Sequence, residues 1–350
     1  MGACMDTLRG LLAESPALLV SNPVNISYLT GFTGTAGFVL VTGDGAFLLT
    51  DFRYLEQAAE QAKGFEIVDV GTSVWARVAE LLGADKLAFE SEHLTVDAYR
   101  KMEKELAGVE LVPVASPVAV MRRVKSEKEV AAIEAAIALG DAAFEHILGF
   151  MEEGMVEREV ALELEFFMRS RGASGTSFSI IVASGARSAL PHGVAGDKRL
   201  ERGDAVVLDL GCVLGGYCSD LSRTVFMGDV GEEARQVYND VLAAQQRALL
   251  GLRAGLTGKE ADALARELLN GRGFEKNFGH GLGHGLGREI HESPRLSPAS
   301  EEVLAEGMVV TVEPGVYLPG KFGVRIEDVV VIGEGGCRNL TGSTKELICL

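Results

Sequence analysis

Several features that define other protein classes are missing from this 350-residue chain. Its five cysteines (Cys4, Cys212, Cys218, Cys337 and Cys349) form no CxxC pair and leave an odd thiol, which argues against a disulfide framework or a zinc knuckle. Each is expected to serve as a small buried apolar residue. Positive charge is in deficit: 33 Lys and Arg stand against 50 Asp and Glu, for a formal net charge of -17. A surface for nucleic acid or anionic membrane needs clustered cations, so neither partner is expected. No apolar run approaches the roughly 18 to 20 residues of a membrane span. Near the N-terminus, Arg9 is followed by "LLAESPALLV", where Glu14, Ser15 and Pro16 interrupt the run before it could act as a signal core. A soluble cytoplasmic protein is expected. Short-period repeats and low-complexity tracts are also lacking.

What is present is enough chain for two domains, each able to bury its own core. Residues 18 to 112 alternate apolar runs ("GFVLV", "AFLLTD") with helical patterns such as "YLEQAAEQAKG", the reading of a small α/β domain. Pro113 and Pro117 then mark a boundary near residues 113 to 122, drawn between residues 116 and 117. Beyond it a helix opens on the capping-box spacing Ser126 to Glu129, with Val130, Ile133, Ile137, Phe144, Ile147 and Leu148 largely on one face. A second helix, from about Glu157 to Arg171, stops at Gly172, and strand-like "SFSIIVAS" and "DAVVLDLG" follow. Two more helices are expected, over Glu232 to Leu252 and from the capping box Thr257 to Glu260 to near Gly271. Strand runs "MVVTVEPGVYL" and "GVRIEDVVVIG" close the chain. Strands on either side of a helical middle indicate α+β, not an alternating parallel sheet.

Four carboxylates sit at the ends of these strands. Asp209 ends "AVVLDLG", where an inward acid is costly unless paired or bound to a cation. Asp220 follows "GCVLGGY", a hairpin signal that brings the two acids together. Glu313 ends "MVVTVE", and Glu327 lies in "GVRIED" after a linking turn. Four converging carboxylates would repel and take up protons, and a pair of divalent cations removes both problems. His284 adds one imidazole. A mostly oxygen donor set with a single nitrogen favours manganese and tolerates cobalt, zinc or iron. Taken singly, each acid would pass for a solvated surface carboxylate.

His284 lies within "NFGHGLGHGLGREIHE", residues 277 to 292. A phosphate cradle would require a helix after the glycines, but the continuation "GREIHESPRLS" has prolines and no helical period. Two readings stand: a flexible loop, or glycines that let the backbone approach closely while leaving the imidazole reachable.

The ordered set Asp209, Asp220, His284, Glu313 and Glu327, in the contexts "LDLG", "SDLSRT", "GHGLGREIHE", "VEPG" and "RIED" and together with "SALPHG", resembles the Xaa-Pro peptidases, prolidase and aminopeptidase P. "YLTGFTGTAG" and "TDFRYLEQA" are similar to the N-terminal domain of the same group. The resemblance implies a pita-bread catalytic domain over residues 117 to 350, preceded by a smaller creatinase-type domain over residues 1 to 116. It places Asp209 on one metal, His284 and Glu313 on the other, and Asp220 and Glu327 between the two. His192 and His291 correspond to substrate-side histidines, and Glu313 to a ligand that also shuttles a proton. Arg295 resembles the arginine with which prolidases hold a dipeptide's free carboxylate. Arg53 and Tyr54 resemble residues that aminopeptidase P contributes across a subunit boundary, and a homodimer is implied. Hydrolysis of short Xaa-Pro peptides is therefore expected, leaning to a dipeptidase because of Arg295, with aminopeptidase P activity on longer peptides as the alternative. Methionine aminopeptidase ordinarily lacks this N-terminal domain, creatinase dispenses with the metals, and a non-catalytic binding module of the same fold would be expected to have lost ligands.

Overall fold

The computed structural model describes Gly10 and residues 15–350. Cys4, Arg9 and Glu14 lie outside the described residues. The chain divides into two compact units, Met1–Arg122 and Arg123–Leu350. This division falls at the last residue of the helix Pro117–Arg123, whose Val118 is fully buried among the first unit's apolar side chains. Pro117, read in the sequence as a breaker, is instead the first residue of that helix, where a missing N–H costs nothing.

The first unit is a six-stranded mixed sheet. Its strands are β1 (Ala17–Val20), β2 (Phe38–Thr42), β3 (Ala46–Thr50), β4 (Glu66–Asp69), β5 (Lys86–Glu90) and β6 (Glu110–Val114), in the order β4-β3-β2-β1-β5-β6. Alternation along β1 assigns its residues to two apolar layers. Leu18 and Val20 face Ile26, Leu29 and Ala58, while Ala17 and Leu19 face Trp75, Val78 and Met102. All four β1 residues are buried, so neither face of this strand meets water. Burial of each leucine contributes about 2 kcal/mol. Glu90, at the end of β5, is buried as well; its carboxylate accepts from the Ser21 and Asn22 amides (2.7 and 2.8 Å), Asn25 Nδ2 and Ser116 Oγ (both 2.6 Å).

The second unit contains two helix pairs, each with its own sheet, and the further strands β7 (Gly175–Thr176), β10 (Cys212–Leu214), β11 (Tyr217–Cys218), β16 (Gly315–Leu318), β17 (Phe322–Arg325) and β19 (Cys337–Asn339). Glu127–Leu148 and Glu157–Arg169 cover the sheet formed by β8 (Ile181–Ser184), β9 (Ala205–Leu210) and β12 (Leu221–Phe226). Glu232–Gly251 and Gly258–Gly271 pack on the sheet that contains β13 (Gly283–Gly285), β14 (Glu292–Leu296), β15 (Val309–Val312) and β18 (Asp328–Ile332). Both capping boxes read from the sequence are formed, at Ser126/Glu129 and Thr257/Glu260. Five of the six residues predicted on the inner face of the first long helix are buried, and Leu148 is half-buried. "SFSIIVAS" is only partly a strand. Its strand covers Ile181–Ser184, while Ser177 continues beside the Gly175–Thr176 pairing: its amide donates to Gly211 O at 3.0 Å and its hydroxyl to Ser219 O at 2.9 Å. No described helix is long and apolar enough to cross a membrane.

Candidate metal centre

Local sequence places each carboxylate. Between Leu214 and Tyr217, Gly215 (φ 59°) and Gly216 (φ 81°) form a two-residue turn that requires left-handed backbone at both positions. The chain therefore doubles back and pairs β9 with β12, setting Ser222 opposite Asp209, with Asp220 just before the ladder. The strands Gly315–Leu318 and Phe322–Arg325 form a second hairpin around Gly320 (φ 77°), which returns the chain from Glu313 to Glu327. The Glu327 amide donates to Ser222 O at 3.1 Å, joining that hairpin to the Asp220 end of β12. His284 is in β13, next to β15, and the Glu313 amide donates to Leu282 O at 2.8 Å.

These elements surround a cavity of about 530 Å³ lined by Asp209, Asp220, His284, Glu313 and Glu327. His192, His291 and Arg295 line it too. Asp220, His284 and Glu327, all buried, offer ligand atoms that lie within 4.8 Å of one another. His284 Nε2 stands 3.6 Å from Asp220 Oδ2 and 3.4 Å from Glu313 Oε1. Its other nitrogen, Nδ1, is 3.0 Å from Gly285 O, so the proton belongs on Nδ1 and the Nε2 lone pair faces the carboxylates. Burial holds the imidazole down to about 3, keeping it a neutral donor at physiological pH.

The acids show the opposite shift. Burial, then the charges of Glu327, Asp209 and Glu313, raise Asp220 well above the ordinary carboxylate range. Glu327 is raised by burial and then by Glu313 and Asp209. Glu313 is pushed up to about 7, chiefly by burial. Two carboxylates about 4 Å apart repel by about 4 kcal/mol at an effective dielectric of 20, so without a cation the cluster must hold protons. Two buried oxygens, Asp209 Oδ1 and Glu327 Oε1, have no hydrogen-bond partner. Unpartnered carboxylate oxygens and a neutral imidazole nitrogen lining one cavity are a donor set that suits hard divalent cations, and the residues fit such a group.

The structure adds three residues that the sequence reading did not single out. Arg325, fully enclosed, donates to Asp209 Oδ2 at 2.5 Å, to Ser222 Oγ at 2.7 Å and to the Tyr317 hydroxyl at 2.8 Å. The same hydroxyl is 2.9 Å from His280 Nε2. Asp209 was expected to need a cation, and Arg325 already neutralises one of its two oxygens. An arginine within the apolar run "FGVRI" was the available signal, since a buried guanidinium demands an acid.

The substrate-side candidates are near the donors. The His291 ring lies 4.4 Å from that of His284, edge to face, and burial followed by the Arg295 charge lowers its pKa. Arg295 sits on β14 directly opposite His284. In the first unit, Arg53 holds Asp51 through two contacts of 2.8 and 2.7 Å, and Tyr54 bonds Thr35 Oγ1 at 2.6 Å. Cys212 and Cys218 are buried free thiols, whereas Cys337 is half-buried and Cys349 exposed, which departs from the expectation of burial.

Comparison with known proteins extends over both units. The model of metallopeptidase family M24 matches residues 131–334, and that of the creatinase/prolidase N-terminal domain matches residues 7–124. The Xaa-Pro dipeptidase of Pyrococcus horikoshii is 40% identical over 337 residues, covering 95% of this chain and 94% of its own. Among solved structures, an Xaa-Pro dipeptidase from Bacillus anthracis matches with a TM-score of 0.98 at 46% identity, covering 100% of this chain and 99% of that one. The X-Pro aminopeptidase from Thermotoga maritima matches with a TM-score of 0.91 at 38% identity, covering 97% and 99%.

Proposed function

The chain belongs to metallopeptidase family M24, with a creatinase/prolidase N-terminal domain ahead of its catalytic domain, and from that premise we infer that it hydrolyses the bond between an N-terminal residue and proline. The dipeptide Xaa-Pro is the preferred substrate. One observation carries the reading: the cavity holds three converging metal-donor side chains and two buried carboxylate oxygens without partners. Family M24 implies divalent metal ions, and Asp209, Asp220, His284, Glu313 and Glu327 would hold two of them, with Asp220 and Glu327 shared. Manganese suits the oxygen-rich set best, with cobalt, zinc or iron as alternatives. When bound, such ions polarise the scissile carbonyl and acidify water enough for attack at neutral pH.

The chain's own groups do the rest. His192 and His291 donate hydrogen bonds to the scissile carbonyl region, where negative charge develops. Glu313 takes a proton from the attacking water at a carboxylate oxygen and delivers it to the leaving nitrogen, which in an imide bond has no hydrogen of its own. Arg295, opposite His284 across the ladder, grips the free carboxylate of a dipeptide with its guanidinium fork. A homodimer, in which Arg53 and Tyr54 reach the partner's site, and a cytoplasmic location complete the proposal.

The likeness to the Thermotoga maritima X-Pro aminopeptidase favours a second reading, cleavage of longer peptides. Metal-stripped protein reconstituted with manganese and given Phe-Pro, Phe-Pro-Ala and Phe-Ala decides between them. Preference for Phe-Pro supports the dipeptidase and preference for Phe-Pro-Ala the aminopeptidase. Cleavage of neither proline peptide refutes both.

A further inference from the structure

A glycine-rich run has few side chains with which to fix its own backbone, yet His280 and His284 are presented from one. Gly281 and Gly283 serve close approach. A Cβ on Gly281 would come within 2.6 Å of Leu296 O, and one on Gly283 within 2.0 Å of Thr311 O. Whatever holds this run must reach it from outside, and the helix Gly258–Gly271 does so with Asp262 and Arg266, one turn apart.

These two side chains pair at 2.5 Å (Nε to Oδ2) and 2.9 Å (Nη2 to Oδ1), 2% and 20% exposed. An i,i+4 ion pair on a helix surface contributes little, and its bonds end within the pair. This one is turned onto the run. The Leu282 amide donates to Asp262 Oδ1 at 2.9 Å, while Arg266 donates from Nη1 to Phe278 O at 2.8 Å and from Nη2 to His280 O at 2.6 Å. Residues 278, 280 and 282 thus each have one backbone atom bonded to the pair. The guanidinium also lies 4.2 Å over the Phe278 ring, which meets the His280 ring edge-on at 5.1 Å. Leu282 O in turn accepts from the Glu313 amide, so the clamped segment is continuous with the strand end that carries a candidate ligand.

We propose that Asp262 and Arg266 are positioning residues: a buried clamp that fixes the backbone of Phe278–Leu282 and thereby sets the His280 ring and the approach to His284. Its kinetic consequence rests on the peptidase reading above; its structural consequence does not. A displacement of about 1 Å in a catalytic constellation is enough to cost on the order of 100-fold in rate, so loosening three backbone anchors should reduce turnover even though neither side chain reaches substrate.

The test uses the full-length, manganese-loaded protein carrying Arg266→Met, and Asp262→Asn with Arg266→Met so that no unpaired charge remains. Arg247→Met, which breaks the exposed Arg247–Glu267 pair between the same helix and its neighbour, is the control. For both clamp variants the expected result is a fall in kcat for Phe-Pro of about 10-fold or more, with KM changed less than about threefold. Hydrogen exchange should quicken in residues 278–284 and stay unchanged elsewhere, and the control should match wild type in both. Arg266→Lys, which keeps the charge but not the fork, should fall between, and it decides the matter if the double variant unfolds as a whole. Wild-type kcat together with wild-type exchange in 278–284 would overturn the proposal, as would exchange that rises uniformly across Arg266→Lys. If the wild-type protein cleaves no proline peptide, the peptidase reading fails, and the exchange of 278–284 alone still upholds or rejects the clamp.

Discussion

Removing the metal should make this protein's stability fall as pH rises, in a range where most proteins are near their optimum. Glu313 shows why. Its carboxyl is raised from 4.5 to about 7, mainly by burial. In the unfolded chain it ionises near 4.5, whereas in the metal-free fold it stays protonated until about 7. Between those pH values the folded state therefore binds more protons than the unfolded one, and stability declines with each step upward. Below the window the group contributes no pH dependence, and above it the full cost is present. A shift of roughly 2.5 units at 1.36 kcal/mol each gives about 3 kcal/mol. Asp220 and Glu327, both raised well above their usual values, act in the same direction. A bound divalent cation replaces those protons and abolishes the penalty. For a unit of this size, about 3 kcal/mol corresponds to roughly 6 to 12 °C in melting temperature. The assay is thermal melting of chelator-treated and manganese-saturated protein from pH 5 to 7.5. The gap between the two curves should widen with pH by about that amount, and calorimetric titration at pH 7 should detect proton release on metal binding. A gap constant across the range would refute the reasoning.

Asp220→Ala or Glu327→Ala should abolish both hydrolysis and manganese retention while the circular dichroism spectrum stays that of the parent; full activity in either variant excludes the shared-ligand assignment. Arg295→Met should raise KM for Phe-Pro by about 10-fold or more and spare Phe-Pro-Ala, because only the dipeptide's carboxylate requires the fork at that place. Equal effects on the two substrates would remove Arg295 from carboxylate binding. Arg223 pairs with the fully buried Asp328 at 2.8 Å and donates to the carbonyls of Ser343 and Thr344. Arg223→Met should cost about 3 kcal/mol in urea unfolding, the low end for a broken buried pair, because Gln245, Asn339 and Lys345 still hold Asp328.

The parts of this molecule that could be read from its sequence are those in which cause and effect lie close in the chain. Ser126 and Glu129, or Thr257 and Glu260, satisfy helix-start amides three residues away, and both boxes are formed. Gly215–Gly216 and Gly320 announce the hairpins that return the chain from Asp209 to Asp220 and from Glu313 to Glu327. The carboxylates were legible because buried acids at strand ends demand an explanation. The partners that complete the site lie far away in sequence. Arg325 reaches Asp209 across 116 positions, and no local periodicity encodes that contact. Pro117 is ambiguous for a related reason: a proline disrupts a helix interior and begins a helix equally well, and only the packing of Val118 into the first unit's core distinguishes the two. The glycine-rich run combines both cases. Its composition permits a flexible loop, and among its own residues nothing excludes one; the bonds from Asp262 and Arg266 to residues 278, 280 and 282 make it a fixed platform instead. Glycine there supplies the close approach of backbone to backbone, and a neighbouring helix supplies the rigidity that glycine cannot.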